Sequence, residues 1–64
     1  MIKINGEEKN AAEMTVAQYL ADNGYNTARI VVEINGTIVP KSNYAVTTFA
    51  DGDTAEIVSF VGGG

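Results

Sequence analysis

Two Asn-Gly pairs, Asn5-Gly6 and Asn35-Gly36, constrain the fold of this 64-residue chain more than any other feature. Each follows a β-prone run. A two-residue type I′ turn needs positive φ at both central positions, which Asn and Gly tolerate best. Each pair therefore predicts a hairpin. Ile2-Lys3-Ile4 alternates apolar and polar residues, so the first strand is expected at Met1–Ile4 and its return around Glu8–Ala12. Glu7, Glu8, Lys9 and Asn10 make that return a solvated edge. Arg29–Ile34 is the most β-prone run of the chain, Thr37–Val39 is its partner, and Pro40 ends the ladder because it cannot donate.

Between the hairpins, Thr15-Val16-Ala17-Gln18 reads as a capping box, with Met14 and Tyr19 as its hydrophobic staple. Val16, Tyr19, Leu20 and Asn23 fall on one face of a helix over Val16–Asn23, which Gly24 closes. So short a helix is stable only when packed on a sheet. Tyr25–Ala28 reads as loop, Lys41–Tyr44 as a helical turn and Ala45–Phe49 as a short strand. Asp51–Asp53 reads as a turn and Thr54–Phe60 as the last strand. The order is ββαββ, a short extended piece, then β.

Strand parity divides the sheet into two faces. With Glu33 toward water, Ile30, Val32 and Ile34 face the helix; with Glu56 toward water, Ala55, Ile57 and Ser59 do. Val58 and Phe60, joined by Val31, are then left on the uncovered face, a protein-binding surface. A bulge that flips the parity would instead bury Phe60.

Composition narrows the chemistry. The chain has no cysteine and no histidine, so it lacks a thiol nucleophile, a thiolate metal site and the commonest general base. At this length there is one domain and little room for a substrate cavity. Asp51-Gly52-Asp53 lacks the other ligands of a calcium loop, and Tyr19, Tyr25 and Tyr44 read as packing and loop residues. Nothing indicates a bound cofactor or metal. Lys3, Lys9, Arg29 and Lys41 are scattered, which argues against nucleic acid. The net charge of −4 suits steering toward a basic protein surface. No apolar run is long enough to span a bilayer, and Met1–Gly6 does not resemble a signal peptide, so a cytoplasmic protein away from membranes is expected.

Val61 is followed by Gly62, Gly63 and Gly64. Three glycines cannot serve a packed fold. Extended, they reach about 10 Å. The expected organisation is one domain over 1–61 and a flexible arm over 62–64. That arm is either an inert terminus or a narrow probe whose carboxylate is the working group.

Several stretches together resemble the thiamine-biosynthesis sulfur carrier proteins, the ThiS family. They are Met1–Gly6, Thr15-Val16 with Leu20, Val32–Pro40, Asp51–Asp53 leading into Glu56–Val58, and the glycine end. The resemblance covers essentially the whole chain. It implies an α+β, ubiquitin-like β-grasp fold, a mixed sheet of four to five strands with one crossover helix on one face. It also implies a non-enzyme, a protein co-substrate whose Gly64 carboxyl is adenylated by a ThiF-type enzyme. A sulfur donor such as a cysteine desulfurase then converts it to a thiocarboxylate, which gives its sulfur to thiazole formation by a ThiG-type thiazole synthase. AMP and sulfur would be transient covalent states of Gly64. Gly62 and Gly63 would thread a partner channel, with Val58, Phe60 and Val61 docking beside it. The family pattern ends in two glycines after a non-glycine residue; the third here lengthens the reach by about 3.5 Å and leaves the register of Gly62 open. Other readings are the small subunit of molybdopterin synthase, a sulfur carrier of another pathway, a ubiquitin-like modifier of lysines, and a plain interaction domain.

Overall fold

The computed structural model describes residues 1–60; Val61, Gly62, Gly63 and Gly64, and with them the expected domain boundary, lie outside the described residues. The elements are β1 (Ile2–Ile4), β2 (Glu7–Lys9), α1 (Val16–Asp22), β3 (Ile30–Ile34), β4 (Thr37–Ile38) and β5 (Thr54–Ser59), with 3₁₀ turns at Thr27–Arg29 and Lys41–Asn43.

Both Asn-Gly hairpins form, with φ of 52° at Asn5, 83° at Gly6, 51° at Asn35 and 85° at Gly36. β2 begins at Glu7, immediately after the turn, and ends at Lys9, so the expected return at Glu8–Ala12 was placed too late. A two-residue loop leaves no spare position: Ile4 pairs with Glu7 across it. The five strands lie in the order β2-β1-β5-β3-β4, with β5 parallel to β1 and antiparallel to β3. Pairing the last strand between the two hairpins, with one helix covering one face, makes the ubiquitin-like β-grasp.

Thr15 caps α1, its hydroxyl accepting from the Gln18 N–H at 3.0 Å. The reciprocal half of the capping box is absent. The Gln18 amide instead donates to Asp22, one turn on, at 2.7 Å. At the other end Gly24, with φ of 74°, donates to Ala21 and Tyr25 donates to Leu20, a Schellman closure. Val16, Tyr19 and Leu20 are buried and Asn23 is exposed.

The core joins the helix to Ile2, Ile4, Ile30, Val32, Ala55 and Ile57 of the sheet, with Tyr44 and Phe49 closing it from the long β4–β5 connection. Phe49 packs edge-on against Tyr19, ring centroids 5.8 Å apart. The expected strand over Ala45–Phe49 reduces to a single bridge between Thr48 and Thr15. Its main chain is used to dock the helix: Thr47 accepts from Val16, Tyr44 from Ala17 and Phe49 from Glu13, while Phe49 donates to Met14. Ladder hydrogen bonds and these docking bonds compete for the same groups, and docking wins.

Beyond the end of β4, the Val39 N–H reaches the Val32 carbonyl at 2.9 Å. Lys41 then folds back, its ammonium donating to the carbonyls of Thr27 and Ile30. Lys41 thus covers main-chain acceptors at the sheet edge.

Candidate functional site

The carboxyl-terminal strand is held in the middle of the sheet by more than its ladders. The side-chain amide of Asn5 donates to the Ile57 carbonyl at 3.1 Å and accepts from the Ile57 N–H at 2.8 Å. An asparagine that makes the first hairpin turn therefore also continues the parallel pairing of β1 with β5. Asn35 does the corresponding work at the start of β5. Its side chain accepts from the Thr54 N–H at 3.0 Å and donates to Asp53 at 3.0 Å, while its N–H donates to the Thr54 carbonyl at 2.7 Å. The direction in which β5 delivers the chain toward residue 61 is fixed from both hairpins.

On β5, Ala55 and Ile57 are buried against the core, as expected; Ser59, expected on the same side, is exposed at the strand's end. The alternate positions face solvent. Val58 is 55% exposed and Phe60 40%. The Phe60 N–H donates to the Arg29 carbonyl at 2.9 Å, so pairing with β3 runs past Ser59 and no bulge turns Phe60 inward. The reading in which Phe60 belongs to the core is excluded.

The β3·β5 register assembles the rest of this face. Val58 lies opposite Val31, and Glu56 opposite Glu33, which in turn pairs with Ile38 on β4, 61% exposed. An apolar group of Val31, Val58 and Phe60 thus adjoins two glutamates and a further isoleucine, on the strand that leads into the tail. The Glu33·Glu56 pair was not visible to the sequence reading. It exists only in the antiparallel register, which the spacing of the two Asn-Gly turns does not by itself specify.

Of the predicted site residues, the structure brings together Val58 and Phe60; Val61, Gly62, Gly63 and Gly64 lie outside the described residues. Elsewhere the described residues offer little chemistry. No group of three or more carboxylates could hold a metal ion. A cleft of about 300 Å³ opens between the first hairpin and the helix end, lined by residues that include Lys9, Tyr19 and Tyr25. There Lys9 pairs with Glu7 at 3.1 Å, and that hydrogen bond holds its ammonium above the ordinary lysine value. Burial pushes the Tyr19 and Tyr44 hydroxyls up, away from ionisation. The Asp51 carboxyl is lowered by its hydrogen bond to the Met1 amine. None of these groups forms a nucleophile–base pair. No helix among the described residues is long and apolar enough to cross a membrane.

Comparison with known proteins supplies the family. The ThiS family model matches residues 2–64, the glycine end included. The chain belongs to the ThiS family. A thiazole synthase of Paramagnetospirillum magneticum is 52% identical over 62 residues, which are 95% of this chain but 19% of that protein. This ThiS-family chain therefore spans about a fifth of that relative's length. The uncharacterised ycf40 protein of Porphyra purpurea is 41% identical over 64 residues, 98% of this chain and 90% of that one. The crystal structure of a thiamine biosynthesis protein (ThiS) from Geobacter metallireducens superposes with a TM-score of 0.76 at 30% identity, covering 98% of this chain and 97% of that one. For this ThiS-family chain the resemblance read from motifs and the fold read from strand order lead to the same place.

Proposed function

We propose that this chain is a sulfur carrier for thiazole formation in thiamine biosynthesis, and that its reactive group is the Gly64 carboxyl. The observation that carries the reading is the ThiS-family match running through residue 64, on a chain whose last strand has an uncovered apolar face. A carboxylate is a poor electrophile. A ThiF-type enzyme would activate it by transferring AMP from ATP to a carboxylate oxygen with release of pyrophosphate. The persulfide of a desulfurase-type donor then attacks the acyl carbon and expels AMP to give an acyl disulfide. A thiol reductant cleaves its S–S bond, leaving the thiocarboxylate and taking the donor's sulfur into a new disulfide. The group so made is nucleophilic, and thiazole synthase is its acceptor. Carriage on a separate protein is covalent catalysis divided between chains. It suits a chain with no cysteine or histidine of its own. The thiazole assignment is supported by the relative named thiazole synthase, which includes a segment 52% identical to this chain.

Gly63→Trp and deletion of residues 62–64 test the role of the arm. The reading expects both variants to melt like the parent and to lose adenylate formation, followed as ATP–pyrophosphate exchange on the ThiF-type enzyme. Undiminished exchange by either variant would refute threading of the arm into the enzyme.

A further inference from the structure

Glu33 and Glu56 are directly opposed on the uncovered face of the sheet. Side chains so placed have Cβ atoms about 4.5–5.5 Å apart, and like charges there are destabilising. Among the described residues no lysine, arginine or amino terminus comes within ion-pair distance of either carboxylate. The cations of the same face are offset from the pair. Arg29 sits opposite Phe60 toward the tail, and Lys3 on β1 sits opposite Glu8 and Thr54. The pair is bordered along the strands by Val31 and Val58, about 7 Å away at two residues' rise, and across β3 by Ile38.

That placement sets a condition on any partner. A protein that covers Val58 and Phe60 also covers Glu56 and Glu33, and removing two carboxylates from water without a counter-charge is strongly unfavourable. The partner must therefore bring a cation to a point between them, with apolar side chains on both sides of it. A guanidinium fits better than an ammonium. It is planar, presents donors along more than one edge so that it can bridge two carboxylates, and is more weakly hydrated, so less is lost on covering it.

We propose that Glu33 and Glu56 form the receptor for one arginine of the adenylating enzyme, held in register by apolar contacts to Val31, Val58, Phe60 and Ile38. The pair selects the partner and fixes how far along the sheet it docks, and thereby where residue 61 enters it. The like charges, unfavourable in the free protein, are neutralised on docking.

The inference rests on the carrier reading in that the partner is the enzyme acting on the tail, so the test reads both. The dissociation constant for the ThiF-type enzyme is measured by calorimetry at low and moderate salt for the parent, for E33Q, E56Q and the double variant, and for E8Q. Glu8 carries the same charge on the same face at the far edge of the sheet. The double variant is expected to bind about tenfold more weakly or worse and to lose most of the salt dependence, with a melting temperature at or above the parent's. E8Q should bind like the parent. Affinity and salt dependence in the double variant equal to the parent's, or an equal loss in E8Q, would overturn the proposal. Sulfur loading of the parent is followed in parallel by mass. A parent that binds but is never loaded contradicts the carrier reading. A parent that is loaded while the double variant binds as tightly contradicts the arginine receptor alone.

Discussion

At the residue scale, the two asparagines carry more than their turns. Asn5 adopts positive φ, where most residues are strained, and its amide replaces two backbone partners on Ile57. Replacing it removes both hydrogen bonds while leaving the Ile57 N–H and carbonyl half-covered, and places an unfavourable residue at φ 52°. Asn5→Ala is expected to cost about 1–3 kcal/mol in urea unfolding; a loss below the error of that measurement would show the Ile57 contacts to be inconsequential. The turn role of this residue was legible from the Asn-Gly dipeptide. The second role was not, because it depends on a strand 52 positions away arriving parallel beside β1.

At the element scale, the chain's two phenylalanines separate core from uncovered sheet face. Phe49 is buried in the β4–β5 connection against Tyr19, and Phe60 closes the pairing of β5 on the uncovered face. Phe49→Ala should cost about 3–5 kcal/mol of stability. Phe60→Asp should leave the melting temperature nearly unchanged and weaken binding to the adenylating enzyme. The reverse pattern, with Phe60 the stabilising residue and binding retained, would contradict the assignment of faces. Strands β3 and β5 were legible because β-branched runs and parity agree over several residues. The connection holding Phe49 was misread as a strand because Ala45–Phe49 has strand-like composition. Its backbone groups go instead to the start of the helix, a choice made by tertiary contacts that no local propensity encodes. The capping box failed by half for a similar reason: Gln18 has a competing acceptor in Asp22, also within one turn.

At the scale of the whole molecule, a fold with one helix on one face of a mixed sheet leaves the other face free, and the last strand crosses the middle of it. Under the proposed carrier role, that arrangement would let a small chain with no cysteine or histidine take part in group transfer: the fold would supply a rigid surface, and the enzymes docking on it the catalytic groups. Hairpins, helix and the order of elements along the chain were readable because each depends on local chemistry, whereas the arrangement of strands in the sheet was implied only by the family resemblance. The uncovered apolar face was half-readable, through Val58 and Phe60, and its acidic pair required the register. The proposed reactive group comes down to one atom, an oxygen of the Gly64 carboxyl, and intact mass measurement addresses it directly. After incubation with ATP, a ThiF-type enzyme, a persulfide-generating donor and a thiol reductant, the protein should gain the mass of one sulfur in place of one oxygen, localised by fragmentation to Gly64. An unchanged mass, under conditions that load a ThiS protein of established function, or a tail found amide-linked to lysines instead, would contradict the account.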